Sequence, residues 1–241
     1  MFRSMVFSAL GVALVVGLFL SAVQTLAVSP IIHAAEVFEI AQPEVVDAHN
    51  GGHSHSHDEN AWGPEDGFER LAFTVLSNVL SAFGFAIILL TGMLLARDKA
   101  ALKISWVRGL GWGLAGYLTF FVAPALGLPP EIPSMEAAAI GGRQSWWVLA
   151  VVGTAAGIAS LLFLTGFAKL LAIVFLAAPW LVGAPEPLVH GFLHPDVEAV
   201  ASLESLQAQF IYATAITNGL FWITLGGLAS YAAARFIKVK A

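Results

Sequence analysis

The sequence predicts an all-α polytopic membrane protein: one membrane domain over residues 1–241, built as a bundle of about six transmembrane helices with both termini in the cytoplasm. The first observation is composition. Of 241 residues, 58% are hydrophobic and 11% charged, with a mean hydropathy of +0.81, and a water-soluble fold of that composition has too little polar surface to cover itself. The second is length, since most of six apolar stretches approach the ~20 residues that cross a bilayer as helix. The third is the distribution of charge, which alternates between successive connections.

The stretches run over 5–28, 71–96, 107–126, 146–167, 170–182 and 210–234. The first begins just after Arg3. It is longer than the ~7–15 apolar residues of a secretory signal, and His33 sits badly beside the Ala34-Ala35 where cleavage would need small residues, so an uncleaved helix is expected. The second, third and fourth are continuous apolar runs. The fifth is short and contains Pro179, so it is read as kinked, re-entrant or a half-helix. Only Thr165 to Lys169 separate it from the fourth, which predicts a tight helical hairpin. The sixth precedes a basic terminus, and no internal repeat is visible.

The N-terminus, second and fourth connections and C-terminus hold nine of the eleven basic residues (Arg3, Arg97, Lys99, Lys103, Arg108, Lys169, Arg235, Lys238, Lys240) and one acid, Asp98. The other three connections hold only Arg70 and Arg143 against fifteen of the sixteen acids. The faces therefore carry about +8 and −13, and the positive-inside rule makes the first cytoplasmic. A five-span reading would spoil this partition.

The three acidic connections are the candidate functional surface. The first, residues 29–70, is expected to be a histidine-bearing loop with little order in its middle. The second, 127–145, is dense in proline, and the third, 183–209, contains Pro185-Glu186-Pro187. His33, His49, His53, His55, His57, His190 and His194 all fall on this side, so no haem is held by histidines within the bundle. In an extended chain His53, His55 and His57 point the same way, beside Asp58 and Glu59. Imidazole with carboxylate suits zinc, copper, nickel or cobalt, although a solvated loop with incidental histidines would look similar. His190 and His194 are four apart, which on a helix places both on one face; an interfacial helix is the other reading.

Polar residues in or beside the spans, Gln24, Asn78 and Asn218 with Thr91, Thr119, Thr214 and Thr217, are candidates for a path through the membrane or for hydrogen bonds between helices. Gly109, Gly111, Gly113, Gly116, Gly153 and Gly157 predict close helix packing. Trp146, Trp147 and Trp180 are expected to anchor helices at headgroup depth. There are no cysteines, which removes thiolate and iron–sulfur chemistry. The signatures of ATPases, zincins and serine hydrolases are lacking, so no enzyme is expected and nucleic acid is an unlikely partner.

Three stretches carry a family resemblance: Gln24 followed by Ser29-Pro30-Ile31-Ile32-His33-Ala34-Ala35-Glu36-Val37-Phe38-Glu39; Ala123-Pro124-Ala125-Leu126-Gly127-Leu128-Pro129-Pro130-Glu131-Ile132-Pro133; and Arg143-Gln144-Ser145-Trp146-Trp147. With them the chain resembles the CbtA family of bacterial cobalt-transporter subunits. Ser134 stands where that family tends to have glycine. The resemblance implies an inner-membrane location, a link with cobalamin synthesis, and a very small single-span CbtB-type partner bearing its own histidines. It also implies divalent cobalt as substrate, with no permanent cofactor.

The resulting expectation is cobalt uptake across the bacterial inner membrane. The metal-binding candidates are His33, Glu36, Glu39, His49, His53, His55, His57, Asp58, His190 and His194, and Gln24, Asn78, Glu131, Gln144 and Asn218 are the pathway candidates. The alternatives are transport of nickel or zinc, a non-transporting membrane metal sensor or scaffold, and a membrane enzyme using an external metal.

Overall fold

A computed structural model describes residues 2–40 and 63–237, and among these the regular elements are helices, with one isolated bridge between Met135 and Phe192. They are α1 (Phe2–Ala27), α2 (Ser29–Ile40), α3 (Phe68–Ala100), α4 (Trp106–Gly127), α5 (Ile140–Phe163), α6 (Gly166–Val182) and α7 (Val197–Phe236). Five of them, α1, α3, α4, α5 and α7, are long and apolar enough to cross a membrane, and α6 is a shorter apolar helix. Leu18, Ile88, Val152 and Leu181 are all more than half exposed, as expected of side chains that face lipid rather than water.

The main bundle packs α1 against α3 and α7, and α4 along α7. Its core is made of Ala13 and Val16 of α1, Ala86 and Leu90 of α3, and Trp222 and Leu225 of α7. The predicted glycine packing is present at Gly109, Gly113, Gly116, Gly153 and Gly157 but not at Gly111, where a Cβ would meet nothing within 4 Å. A Cβ on Gly113 would lie 2.3 Å from the Trp222 carbonyl oxygen, and one on Gly226 would lie 2.3 Å from that of Gly109. Only hydrogen at these positions lets α4 and α7 approach so closely.

Two prolines shape the remaining helices. Pro124 has no N–H to donate, and α4 widens into a π turn over Leu118–Val122 just before it. Pro179 of α6 leaves the Phe175 carbonyl without its usual donor, and that oxygen lies 2.7 Å from where a Gly153 Cβ would stand on α5. The α5–α6 hairpin is thus packed through a proline-freed carbonyl and a glycine.

Several boundaries differ from those that hydropathy marks. Residues 29–40, expected in a loop, form α2: Pro30 lies in its first turn, where the missing N–H costs nothing, and the Val28 carbonyl accepts from Ile31 and Ile32 at 3.1 and 3.2 Å. The fourth apolar stretch, read to residue 167, stops being helical at Phe163, because Leu164 is extended and Gly166 has φ +57°. Helix α7 begins not near 210 but at Val197, capped by the Asp196 carboxylate, which accepts from Glu198 N–H at 2.9 Å. Its 40 residues extend about 60 Å, roughly twice a bilayer core.

Candidate functional site

The excess length of α7 supports a cap at the acidic end. Ala35 of α2, Ile132 of the proline loop and Leu203 of α7 are buried together, with Phe38, Phe192, Leu206 and Phe210 packed around them. Prolines at 129, 130 and 133 leave few donors in the loop, and Gln207 bonds one N–H and one carbonyl at its centre. Its Oε1 accepts from Ile132 N–H at 3.1 Å and its Nε2 donates to the Pro130 carbonyl at 2.7 Å. Glu39 accepts from Ser134 N–H at 2.9 Å, and Ser134 has φ +69°. That left-handed position is where glycine would be favoured.

Both arginines of this face bind acids that the sequence marks for metal or path. Arg70 grips Glu36 with both terminal nitrogens, NH2 to Oε1 at 2.5 Å and NH1 to Oε2 at 3.2 Å, while NH1 also reaches Asp66 at 3.0 Å. His33 Nδ1 lies 3.1 Å from Glu36 Oε2. The hydrogen bonds from Arg70 hold the Glu36 carboxyl below its ordinary value; partial burial opposes this, and His33 adds to the lowering. Arg143 likewise binds Glu131, NH2 to Oε2, at 2.7 Å.

Below Glu36 and Arg70, the α1–α3 contact carries polar side chains. Thr74, one turn along α3, donates to the Arg70 carbonyl at 2.8 Å. Asn78, a further turn along, donates to Gln24 Oε1 at 2.6 Å and Ser21 Oγ at 3.0 Å. The cluster ends there: a Cβ on Gly17 would lie 2.7 Å from Val79 Cα, and the contact continues through Ala13, Ala82 and Ala86, all fully buried. Asn218 is not part of this cluster, because its amide donates to the Thr214 carbonyl of its own helix at 3.0 Å. The Thr214 and Thr217 hydroxyls are buried with no partner. Thr91 donates to Met5 Sδ at 3.8 Å, and Thr119 is buried. Gln144 is exposed and lines a cavity of about 580 Å³ with Phe120, Pro124, Pro130, Arg143 and Trp147.

The helical spacing expected of His190 and His194 is absent, because residues 183–196 are not helical. Pro185, Pro187 and Pro195 flank the pair and resist helix continuation. His190 is exposed, with Nε2 3.9 Å from Glu186. His194 lies edge-on to Phe38 at 6.3 Å and accepts from Asp196 N–H through Nδ1 at 3.1 Å. That bond places the proton of the neutral ring on Nε2, which is buried without a partner. Trp146 is not a headgroup anchor either. It is 3% exposed, and its indole donates to the Pro179 carbonyl at 3.1 Å, locking α5 to α6. His49, His53, His55, His57 and Asp58 lie outside the described residues. Among the described residues no three histidine or acidic side chains converge as a metal site.

Sequence reasoning did not mark Arg70, Arg143, Gln207 or Ser21 as site residues. The two arginines did carry a signal: they are the basic residues within an otherwise acidic face, and a lone cation among many carboxylates is expected to be paired. Gln207 and Ser21 had none, since each is an ordinary polar residue until the fold brings its partner.

No curated protein and no solved structure matches the chain. A family model described as "Probable cobalt transporter subunit (CbtA)" matches residues 2–234. With nearly its whole length matched, this multi-helix membrane chain belongs to the CbtA family of probable cobalt transporter subunits.

Proposed function

We propose that this chain is the membrane subunit through which divalent cobalt is taken up across a bacterial inner membrane, working with a small single-span companion of the CbtB type. The acidic end faces outward and both termini lie in the cytoplasm. The negative field of that face raises the local cation concentration. The tract of His53, His55 and His57 with Asp58 captures the metal, and His49 contributes a further imidazole. It delivers the ion to a mouth formed by His33, Glu36, Glu39 and Glu131, with His190 and His194 on the rim. Gln24 and Asn78 receive it below, and Gln144 and Asn218 line the remaining approach.

The observation that supports this reading is that the His33–Glu36 pair, Glu39 and Glu131 belong to the elements of one cap, with the Asn78–Gln24–Ser21 cluster beneath Glu36. Carboxylate, imidazole and amide oxygen are the donors that a divalent ion needs as it sheds water. The test is radiolabelled cobalt accumulation in a cobalt-import-deficient bacterium expressing the chain with and without its companion, with nickel and zinc as competitors. Uptake above the empty-vector control is expected, and replacing His53, His55 and His57 together with alanine should raise the cobalt concentration for half-maximal uptake. An unchanged curve removes the tract from transport.

A second reading, a metal-binding sensor or scaffold that moves no ion, is favoured by one feature. The polar cluster stops at Ser21 and Asn78, and the α1–α3 contact beyond is apolar. Stoichiometric cobalt binding without accumulation in any pairing would establish it.

A further inference from the structure

Helix α5 packs on α4 along Leu118–Gly127, whereas the other half of α4, Trp106–Tyr117, packs on α7. Between α3, that second half of α4 and α5 lies a groove of about 620 Å³. Its walls are mainly apolar, with Ile88 and Met93 from α3, Trp112 and Ala115 from α4, and Ala159 and Leu162 from α5. Gly111 opens onto it: the residue is exposed, and a Cβ there would meet nothing within 4 Å. Gly109, Gly113 and Gly116 are each spent on contact with α7, so the seam gives no reason for the fourth glycine of this face. The groove does, because a large side chain at 111 would fill it. Ala155 and Ala159 of α5 line the same space and are also exposed.

One end of the groove is charged. Lys103 and Arg108 line it, both exposed, and Arg108 Nη1 donates to the Lys103 carbonyl at 2.7 Å, which holds the guanidinium beside the α3–α4 connection. Among the described residues neither cation has a carboxylate partner, and Asp98, the acid of that end, is taken by Arg97 at 3.1 Å. On the acidic face, by contrast, Arg70 and Arg143 are both paired. Two unpaired cations at the mouth of an apolar slot complement a molecule with an apolar chain and an anionic head. Size argues the same way. A spanning helix ~10 Å across and ~30 Å long fills about 2400 Å³, so it would lie across the groove rather than in it, whereas an extended hydrocarbon chain is far narrower.

We propose that the α3–α4–α5 groove is a binding site for one anionic phospholipid from the leaflet on the basic side: an acyl chain lies over Gly111 between α4 and α5, and Lys103 and Arg108 hold the headgroup phosphate. The chain fills the space left where α4 turns to α7, so the lipid ties the α5–α6 hairpin to the bundle at the end away from its Leu118–Gly127 contact. This needs only the membrane class of the protein, and it stands whether or not the chain moves cobalt.

The full chain, purified in detergent and stripped of lipid, is titrated with phosphatidylglycerol or phosphatidylcholine, and bound lipid is counted by native mass spectrometry alongside thermal unfolding. One phosphatidylglycerol per chain is expected, held roughly thirtyfold more tightly than the zwitterionic lipid, as two cations beside a headgroup would give, and raising the melting temperature. Lys103→Gln together with Arg108→Gln should abolish that preference. Lys103→Gln alone should reduce it roughly fivefold, and it serves as the readout if the double variant fails to fold. Gly111→Leu fills the groove without a clash at its Cβ and should expel phosphatidylglycerol with both cations in place, while Lys99→Gln, outside the groove, should bind as the parent does. Equal affinity for the two lipids would overturn the proposal, as would an undiminished preference in the Lys103 and Arg108 variants, or parental binding by Gly111→Leu. Expulsion of the lipid on co-expression with a small single-span companion, with co-purification of that companion lost in Gly111→Leu, would also overturn it by assigning the groove to the companion's helix.

Discussion

The α4–α7 seam and the acidic cap are held together by opposite means. Along the seam, Gly109, Gly113 and Gly226 bring backbone against backbone. In the cap, α2 and the proline loop are held by Gln207, Glu39 and Arg70 through hydrogen bonds and an ion pair. Dispersion between close backbones does not respond to pH or to ions, whereas carboxylate links do. The molecule thus sets a body held by close backbone packing beneath a cap held by hydrogen bonds and an ion pair.

The hardest blow to that contrast falls on the seam. Gly113→Val should cost about 3 kcal/mol or more, since the new side chain meets the Trp222 carbonyl, a backbone atom that cannot step aside. Thermal unfolding in detergent should show a large loss that added cobalt does not restore. Next is Gln207→Leu, which strands the Ile132 N–H and the Pro130 carbonyl at a cost of ~2 kcal/mol. Hydrogen exchange should quicken at Ile132 and its neighbours while the seam stays protected, and equal quickening in α4 would deny that cap and seam are separate. Trp146→Phe removes the bond to the Pro179 carbonyl and should cost ~1 kcal/mol, read as a lower melting temperature with the cap's exchange unchanged.

The smallest effect is the pH dependence of the Glu36 link. The pKa of Glu36 is lowered in the folded protein, chiefly by Arg70, so its contribution is complete above the ordinary glutamate value near 4.3 and is lost as pH falls through the lowered folded value. Both partners are about a third exposed, which limits the contribution to ~1 kcal/mol. The stability difference between the parent and Glu36→Gln should hold from neutral pH to about 5 and shrink below about 4; a difference that persisted in acid would mean that the Glu36 charge is not what holds α2.

Much of the site was visible as residues but not as relationships. Glu36, Glu39 and Glu131 were singled out as ligand or path candidates, and the fold gives each a protein partner: Arg70, the Ser134 N–H and Arg143. Gln24 and Asn78 were singled out separately and turn out to be bonded to each other, whereas Asn218, chosen on the same grounds, bonds its own helix. Composition and hydropathy are blind to this distinction, because it depends on which face of a helix meets a neighbour. Trp146 failed for the same reason. An aromatic ring at the edge of an apolar run suits the interface, but the fold brings the Pro179 carbonyl of α6 within 3.1 Å of the Trp146 indole N–H and buries the ring.

The sequence by itself determined the all-helical membrane class, the positions of the apolar segments, the segregation of charge and the glycine face of α4. Each follows from transfer of side chains between water and lipid or from residue size, properties that need no knowledge of the fold. The tertiary structure alone decided that residues 29–40 form a helix of the cap, that α7 runs on to 40 residues and carries it, and that Glu36 finds Arg70 34 positions away and Pro130 finds Gln207 77 away. Such pairings depend on how whole helices rotate and slide against one another, and that register is set by the glycine contacts and prolines of the bundle rather than by the residues that finally meet.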